Sequence, residues 1–376
     1  MMEIYLDNGA TTKPCKECVE KVVEMLTVKY GNPSSLHEKG FEAEQEIESA
    51  RAVIAQNLNA NASEVYFTSG GTEANNIAIL GSAAANKKRG KKIVTTAMEH
   101  SSVYNSAKAL EKEGFDVVYL KPDENGQVTL EQIEKAVDEE TILVSMMLVN
   151  NEVGTVFPVE KIKKIIIQKK SPALLHIDAV QAFGKIPINA EKLSADLLTI
   201  SAHKVHGPKG VGALYKRKDA HIFARTFGGE QQKKLRPGTE AVPLIAGFGE
   251  AVKQINLTKQ YEKIYQLNKY FKEKILNMKK ISINSPQNAI PYIINISTNE
   301  IKSETMLNFL SSKGIFVSSG SACAKGKKSR VLSEMKLPEQ RIDTALRISF
   351  SKYNTIEDID EFLRQLTFGI KNLAHI

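Results

Sequence analysis

Lys204 is the residue of this sequence best suited to covalent chemistry. It lies in the segment Ser201-Ala-His-Lys-Val-His-Gly-Pro-Lys-Gly210, directly after the apolar run of residues 197–200. A lysine at the end of a buried strand is desolvated, and desolvation favours the neutral amine, which attacks carbonyl carbon atoms. The position therefore predicts a Schiff base, although most single lysines in proteins are solvated surface charges.

Two further patterns indicate what such a Schiff base would serve. The turn Ser69-Gly-Gly-Thr72 lies between a predicted strand and a predicted helix, where free backbone N–H groups bind phosphate, although a simple tight turn explains this motif equally well. Asp178 closes an apolar strand and needs a cationic or hydrogen-bonding partner, which could be a helix N-terminus, a buried ion pair or a protonated pyridine nitrogen. Taken with Lys204, these patterns predict pyridoxal phosphate.

The chain has three cysteines, which are too few for a disulfide framework. Cys323 follows small polar residues and precedes a run rich in lysine, which favours its thiolate, although a surface cysteine in a basic turn has the same sequence pattern. Cys15 and Cys18 form a C-x-x-C pair, but zinc would require two further ligands at suitable spacing. We therefore expect buried thiols in the first turn of a helix and no metal site.

Strands and helices alternate along the first two thirds of the chain, which predicts an α/β fold with a mainly parallel sheet and ligands at the strand ends. Thr12 is expected to cap the first helix and Thr355 the last. A lysine-rich amphipathic helix begins near residue 256 and opens a smaller domain. The predicted division is a large cofactor-binding domain of residues 15–255 and a small domain of residues 1–14 with 256–376.

Composition limits the classes of partner. The 376 residues carry a net charge of +8, but the basic residues are scattered without interleaved aromatic residues, so nucleic-acid binding is not expected. The first residues lack a basic segment followed by a long apolar core, and no apolar run is long enough to cross a bilayer. The sequence therefore predicts a cytoplasmic protein with no membrane contact.

Nine segments together resemble the pyridoxal-phosphate-dependent cysteine desulfurases of the class V aminotransferase family, in the same order and along nearly the whole chain. They resemble the iron–sulfur and nitrogen-fixation group of that family. The resemblance implies the type I pyridoxal-phosphate-dependent transferase fold, with a mainly parallel mixed sheet between helices and a smaller α+β C-terminal domain. The segments are Tyr5–Thr12, Gly31–Ser35, Thr68–Asn76, Glu99-His100, Val149–Gly154, Asp178–Gln181, Ser201–Gly210, Arg236–Thr239 and Ser318–Cys323.

The resemblance also implies a role for each matching residue around the cofactor. Lys204 would hold pyridoxal phosphate as a Schiff base, and Asp178 would pair with the pyridine nitrogen. Gln181 would hydrogen-bond the ring hydroxyl, and His100 would stack on the ring and shuttle protons. The phosphate would be bound by four residues of one subunit, and by Thr239 from the second subunit of a homodimer; the four are Gly71, Thr72, Ser201 and His203.

The implied reaction converts L-cysteine to L-alanine. Arg347 and Asn151 would hold the substrate carboxylate, with Asn151 also at the cofactor and Asn32 a weaker candidate at the substrate end. Lys204 would move the α proton, and the Cys323 thiolate would take the substrate sulfur as a persulfide. The sulfur would pass to an acceptor protein, either an iron–sulfur scaffold or a tRNA thiolation protein.

Other readings of the same residues remain open at the level of sequence. With the same cofactor, the protein could be a selenocysteine lyase, another β-elimination enzyme or an aminotransferase, although transamination needs no thiol. In a different class, it could be a non-catalytic scaffold. The lysines that flank Cys323, Lys325, Lys327 and Lys328, are expected to steer an acidic acceptor surface.

Overall fold

The central element of the fold is a seven-stranded, mostly parallel sheet. The computed structural model describes residues 3–278, 280–319 and 328–375. Its strands are β1 (Ile4–Tyr5), β2 (Val65–Thr68), β3 (Lys92–Thr96), β4 (Asp116–Leu120), β5 (Thr141–Met147), β6 (Leu174–Asp178), β7 (Leu197–Ser201), β8 (Gly212–Lys216), β9 (Ser282–Ile283), β10 (Ile293–Ser297), β11 (Ile315–Phe316) and β12 (Ala345–Ser349). The large sheet has the order β2-β8-β7-β6-β5-β3-β4, and β8 runs antiparallel to both of its neighbours.

Helices cover both faces of this sheet. They are α1 (Lys16–Thr27), α2 (Glu38–Leu58), α3 (Gly71–Asn86), α4 (Ser101–Lys112), α5 (Leu130–Ala136), α6 (Ile162–Gln168), α7 (Val242–Lys253), α8 (Leu257–Leu276), α9 (Ser303–Ser312), α10 (Arg330–Glu334), α11 (Glu339–Asp343) and α12 (Ile356–Asn372). Ile93 and Leu143 pack with α3 and α4, whereas Val94 and Val144 pack in the core shared by α2, α6 and α7. Adjacent strand residues point to opposite faces, so a sheet covered on both sides is apolar at successive positions. This arrangement confirms the predicted fold class.

The rest of the chain forms two small sheets that hold the N-terminus. β10 lies between β9 and β12 in an antiparallel sheet, and β1 pairs in parallel with β11. The first strand therefore belongs with the C-terminal part of the chain, consistent with the division at residues 14/15 and 255/256, which remains a prediction. None of the helices within the described residues is long and apolar enough to span a bilayer.

The two predicted helix caps have different outcomes. Thr355 caps α12, because its side chain accepts a hydrogen bond from the backbone N–H of Asp358. The prediction for Thr12 is wrong: α1 begins at Lys16 after Cys15, with no side-chain cap. Thr12 instead donates its backbone N–H and its hydroxyl to the carbonyl oxygen of His203, at 2.8 and 2.9 Å. The acceptor role that a cap requires is taken by a contact distant in sequence, because Thr12 Oγ1 accepts a hydrogen bond from the His206 backbone N–H at 2.7 Å.

Phe271 offers a direct test of the core of the smaller unit. Its ring is fully buried on α8, with ring centroids 5.8 Å from those of Phe350 and Phe362. We expect Phe271→Ala to lower the free energy of unfolding by about 3–5 kcal/mol, because the change leaves a cavity. Tyr265→Ala on the same helix, where the ring is 47% exposed, is the matched control and should change it by less than about 0.5 kcal/mol. Equal denaturation midpoints for the two variants would contradict the packing.

Candidate active site

The predicted functional residues gather at the carboxyl edge of the large sheet. Asp178 is the last residue of β6 and Ser201 the last of β7. Gly71 begins α3 shortly after β2, and His100 is the N-cap residue of α4 after β3. Parallel strands end at one edge, so residues that follow different strands meet there.

The segment of residues 7–12 closes this edge over Lys204. Lys204 lies in a 3₁₀ turn that follows β7, and its Nζ donates hydrogen bonds of 2.6 Å to the carbonyl oxygens of Gly9 and Ala10. Gln181, which is also buried, donates its Nε2 to the same Gly9 oxygen at 2.9 Å. Two loops distant in sequence from residues 7–12 therefore converge on this backbone segment.

Asp178 is held in place by an asparagine that the sequence analysis did not assign. The carboxylate, 5% exposed, accepts hydrogen bonds from the backbone N–H of Val180 at 3.0 Å and from Asn75 Nδ2 at 2.8 Å. Asn75 Nδ2 also contacts Ser102 Oγ at 2.8 Å, and that hydroxyl lies 2.8 Å from His100 Nδ1. The sequence feature that could have indicated a role for Asn75 is a polar residue among the apolar positions of α3.

Both histidines of the site favour the neutral form. Burial lowers the pKa of His100, although the nearby Asp178 carboxylate opposes the change. His100 Nδ1 accepts a hydrogen bond from the backbone N–H of Ser102 at 3.2 Å, so the neutral ring carries its proton on Nε2. Burial, followed by the charge of Lys204, lowers the pKa of His203 to about 4. At neutral pH both rings are therefore uncharged.

The beginning of α3 lies beside the end of β7. A Cβ atom at Gly71 would lie 2.8 Å from Val180 Cγ2, so only glycine permits this close approach. The Ser201 hydroxyl is buried and has no hydrogen-bond partner among the described residues. Thr72 is exposed in the first turn of α3. Backbone N–H groups at a helix start, together with an unpaired hydroxyl, suit a phosphate group.

Arg347 is a buried guanidinium whose hydrogen bonds are only partly satisfied. It is 2% exposed, and its NH1 and NH2 groups donate to the Asn151 carbonyl oxygen at 2.9 Å and to Asp7 Oδ1 at 2.8 Å. Its Nε is buried and lacks a hydrogen-bond partner within the described part of the chain. An unpaired donor on a fixed guanidinium suits a carboxylate ligand. Asn151 contacts Arg347 through its backbone carbonyl oxygen. The sequence analysis did not assign Asp7, whose carboxylate pairs with Arg347.

Two predicted residues do not join the others within one chain. Asn32 is exposed, and its side-chain oxygen accepts a local hydrogen bond from the Ser34 backbone N–H at 3.0 Å. Thr239 is exposed after Gly238. A role for Thr239 therefore requires a second subunit, as the sequence analysis expected.

Cys323 lies outside the described residues, but the residues on either side of its segment contact the site. Before it, Ser318 exchanges backbone hydrogen bonds with Arg347, at 3.2 and 2.6 Å. After it, the Ser329 hydroxyl donates to the carboxylate of Glu152, next to Asn151. Ser318 and Ser329, which are described, therefore contact Arg347 and Glu152.

The residues that follow this segment are fixed by charge as well. The Arg330 guanidinium donates to the carbonyl oxygens of Ala97 and Glu99, and it lies 3.9 Å from the centre of the Tyr104 ring. Lys328 pairs with Glu339 on α11. Among the three lysines expected to attract an acidic partner, Lys328 is therefore already partly neutralised, and Lys325 and Lys327 lie outside the described residues.

Glu99, the neighbour of His100, is a buried carboxyl group. Its Oε1 accepts hydrogen bonds from Thr96 Oγ1 at 2.8 Å and from the Met147 backbone N–H at 3.0 Å, while Oε2 has no partner among the described residues. Burial, with a smaller contribution from Asp178, raises the pKa of Glu99 to about 8. Glu99 is therefore mostly protonated at neutral pH, which explains how a carboxyl group persists there without a cation.

This raised pKa predicts how stability depends on pH. The folded state keeps the Glu99 proton that the unfolded state releases above pH 4.5, so the free energy of unfolding should fall as pH rises from 4.5 to about 8. Glu99→Gln mimics the protonated acid, so it should match the wild type near pH 4.5 and exceed it by ~2 kcal/mol or more at pH 8. Denaturant unfolding at several pH values measures this difference. The exposed change Glu139→Gln is the control, and parallel profiles for the wild type and Glu99→Gln would contradict the assignment.

Comparisons with known proteins identify the family of the chain. The model of the aminotransferase class-V family matches residues 4–362. The cysteine desulfurase IscS of Methanosarcina thermophila is 40% identical, over 99% of this chain and 93% of its own length. The putative cysteine desulfurase IscS 1 of Bacillus subtilis is also 40% identical, over 100% of both chains.

Solved structures agree with these relatives. A NifS-like protein superposes with a TM-score of 0.94 at 39% identity, covering 99% of this chain and all of its own. A structure described as SspA in complex with cysteine superposes with a TM-score of 0.83 at 34% identity, covering 94% of this chain and all of its own. The family that these relatives represent depends on pyridoxal phosphate and uses cysteine as its substrate. The chain belongs to the class-V aminotransferase family and, within it, to the cysteine desulfurases.

Proposed function

We propose that this protein removes sulfur from L-cysteine, giving L-alanine and a persulfide on Cys323, with pyridoxal phosphate bound to Lys204. The observation that carries this proposal is the convergence of Lys204, Gln181 and Arg347 on the segment of residues 7–12. The described residues on either side of the segment that contains Cys323 contact Arg347 and Glu152.

The cofactor would be held by residues that already suit its chemical groups. When bound, pyridoxal phosphate supplies an electron-poor ring that acidifies the α C–H of an attached amino acid. Asp178, oriented by Asn75, is the acceptor for the ring nitrogen, and Gln181 is the donor for the ring hydroxyl. His100 would cover the ring face. The phosphate ligands are the N-terminus of α3 and the end of β7 with its following turn, through Gly71, Thr72, Ser201 and His203.

Six residues would bind and convert the substrate. Arg347, whose Nε lacks a partner among the described residues, holds the carboxylate together with Asn151, and Asn32 remains a proposed contact at the outer end. The Lys204 amine carries the proton from the α carbon, and His100, neutral at pH 7, relays protons. The Cys323 thiolate forms a bond to the substrate sulfur while the carbon–sulfur bond breaks. The electron pair returns to the carbon skeleton, which takes up protons to become alanine.

This proposal is tested with L-cysteine and a reductant, by measuring sulfide and alanine. Lys204→Ala should lose both the visible absorbance of the bound cofactor and the activity. Cys323→Ala should keep the absorbance but lose sulfide release by about 100-fold or more, because the nucleophile is absent. Cys18→Ala, a change at a buried thiol away from the pocket, is the matched control.

Two results would contradict parts of the proposal. Full activity of Cys323→Ala on L-cysteine would exclude the persulfide route while leaving the cofactor assignment intact. A wild-type protein that releases selenium from L-selenocysteine, but no sulfur from L-cysteine, would favour the lyase reading instead.

We further propose that the persulfide passes to an acceptor protein, either an iron–sulfur scaffold or a tRNA thiolation protein.

The protein is also proposed to act as a homodimer. The outer face of α1 is apolar yet exposed: Val19, Val23 and Leu26 are 49%, 52% and 61% exposed. Nearby Tyr30 and Phe41 extend this face onto the loop before α2 and into α2 itself. A contiguous apolar surface of this kind marks an interface, and a second subunit is also required if Thr239 binds the phosphate.

Val23→Glu should convert the dimer to a monomer, because an unpaired carboxylate would be buried at the interface. Sedimentation velocity measures the change. Ile167→Glu on α6 is the matched control, since Ile167 is an isolated residue with 68% exposure, and it should leave the dimer intact. A monomeric wild-type protein, or a dimeric Val23→Glu variant, would contradict this interface.

A further inference from the structure

Lys185 is a buried amine for which the proposed reaction has no assigned use. It follows Gly184 in the turn after β6, and its side chain is 6% exposed. The amine lies 5.9 Å from the centre of the Tyr292 ring and lines a small cavity that also borders Lys204 and Asn8. No carboxylate of the described chain lies within ion-pair distance of it. A buried amine without a counter-charge costs stability, so its presence calls for a reason.

The hydrogen bond that Lys185 makes indicates that reason. Its Nζ lies 2.7 Å from Gln181 Oε1, and Gln181 Nε2 points the other way, toward the Gly9 oxygen at 2.9 Å. A carboxamide has a donor end and an acceptor end of nearly equal size, so its orientation is decided by its partners. The Lys185 amine pairs with the oxygen end of the Gln181 carboxamide, and the Gly9 carbonyl oxygen pairs with its NH₂ end. Both partners therefore select the same orientation.

This orientation matters because of what lies beyond Gln181. Lys204 Nζ donates to the same Gly9 oxygen, so the NH₂ end of Gln181 is directed into the pocket where the cofactor would attach. The ring hydroxyl of that cofactor, in its ionised form, requires a donor. A reversed carboxamide would present its oxygen there and repel the ring oxygen.

The hydrogen bond from Lys185 to Gln181 does not depend on whether the amine is charged. Burial, reinforced by Lys204 and Arg347, lowers the pKa of Lys185 to about 7. The charged and neutral forms of the amine both carry N–H groups, so either donates to Gln181. No contact with the predicted substrate ligands Arg347 and Asn151 is needed for this function.

We infer that Lys185 is a positioning residue that fixes the Gln181 carboxamide with its NH₂ group facing the cofactor pocket. This inference rests on the proposed function, because it concerns the donor that the bound ring would meet. Lys185 acts through Gln181 and does not itself touch the reacting atoms.

The test is a double-mutant cycle on pyridoxal phosphate binding to the apo protein. Lys185→Met keeps the length of the side chain but removes the donor, and Gln181→Ala removes its target. Each change should raise the Kd for pyridoxal phosphate about tenfold, and the double variant should be no weaker than Gln181→Ala alone. The pH midpoint of the bound cofactor's visible absorbance should shift upward by about one unit in each single variant.

Controls separate positioning from damage to the fold. Lys272→Met on α8 changes a half-buried lysine away from the pocket and should leave the Kd and the absorbance midpoint unchanged. Lys185→Gln retains an N–H donor and should recover part of the affinity lost in Lys185→Met, which also keeps the test valid if the methionine variant does not fold. Denaturation midpoints of all apo variants identify any that are unfolded.

The outcomes are distinct. Effects of Lys185→Met and Gln181→Ala that add in the double variant would overturn the inference, because Lys185 would then act independently of Gln181. An unchanged Kd and midpoint in Lys185→Met would also overturn it, while leaving the proposed function standing. A wild-type apo protein that binds no pyridoxal phosphate would overturn the proposed function together with this inference.

Discussion

The carbonyl oxygen of Gly9 is the point on which the site depends. It accepts hydrogen bonds from Lys204 and Gln181, which come from two separate loops of the large sheet. The same N-terminal segment holds Arg347 through Asp7 and reaches the His203 carbonyl oxygen through Thr12. Because β1 is paired with β11, this segment also links the large sheet to the C-terminal part of the chain. Residues 7–12 thereby position both Lys204 and Arg347, the predicted ligand of the substrate carboxylate.

The site contains many ionisable groups, yet few of them are left charged without a partner. Arg347 is paired with Asp7. Glu99 avoids the cost of burying a charge by keeping its proton. His100 and His203 avoid the same cost by remaining unprotonated. A buried charge is expensive unless it is compensated, so the apo protein is organised to need little compensation. Within the described residues, the Ser201 hydroxyl and the Arg347 Nε are buried without a hydrogen-bond partner. Each can therefore donate to a ligand without losing a hydrogen bond inside the protein.

Much of the fold followed from sequence because it is encoded locally. Strand and helix periodicity located β2 to β8 and the carboxyl edge, so Asp178 and Lys204 could be assigned from the strands that they follow. The Thr12 cap failed because Thr12 Oγ1 accepts a hydrogen bond from the backbone N–H of His206, distant in sequence, which competed with the local signal. Asn75 and Lys185 were not assigned because a polar residue in a helix or a lysine in a turn has many local explanations. Their partners are known only once the chain is folded.

The family, the sheet, the predicted Schiff-base lysine and the cysteine predicted to accept sulfur could be identified from the sequence, because each rests on local motifs and on their order along the chain. The tertiary structure alone decided which groups meet. It brought Asn75 to Asp178 and the N-terminal segment to Lys204. It also left the apolar face of α1 exposed. The physical reason is that hydrogen bonding and burial depend on distances in space, and residues separated by more than a hundred positions have no local pattern that records them.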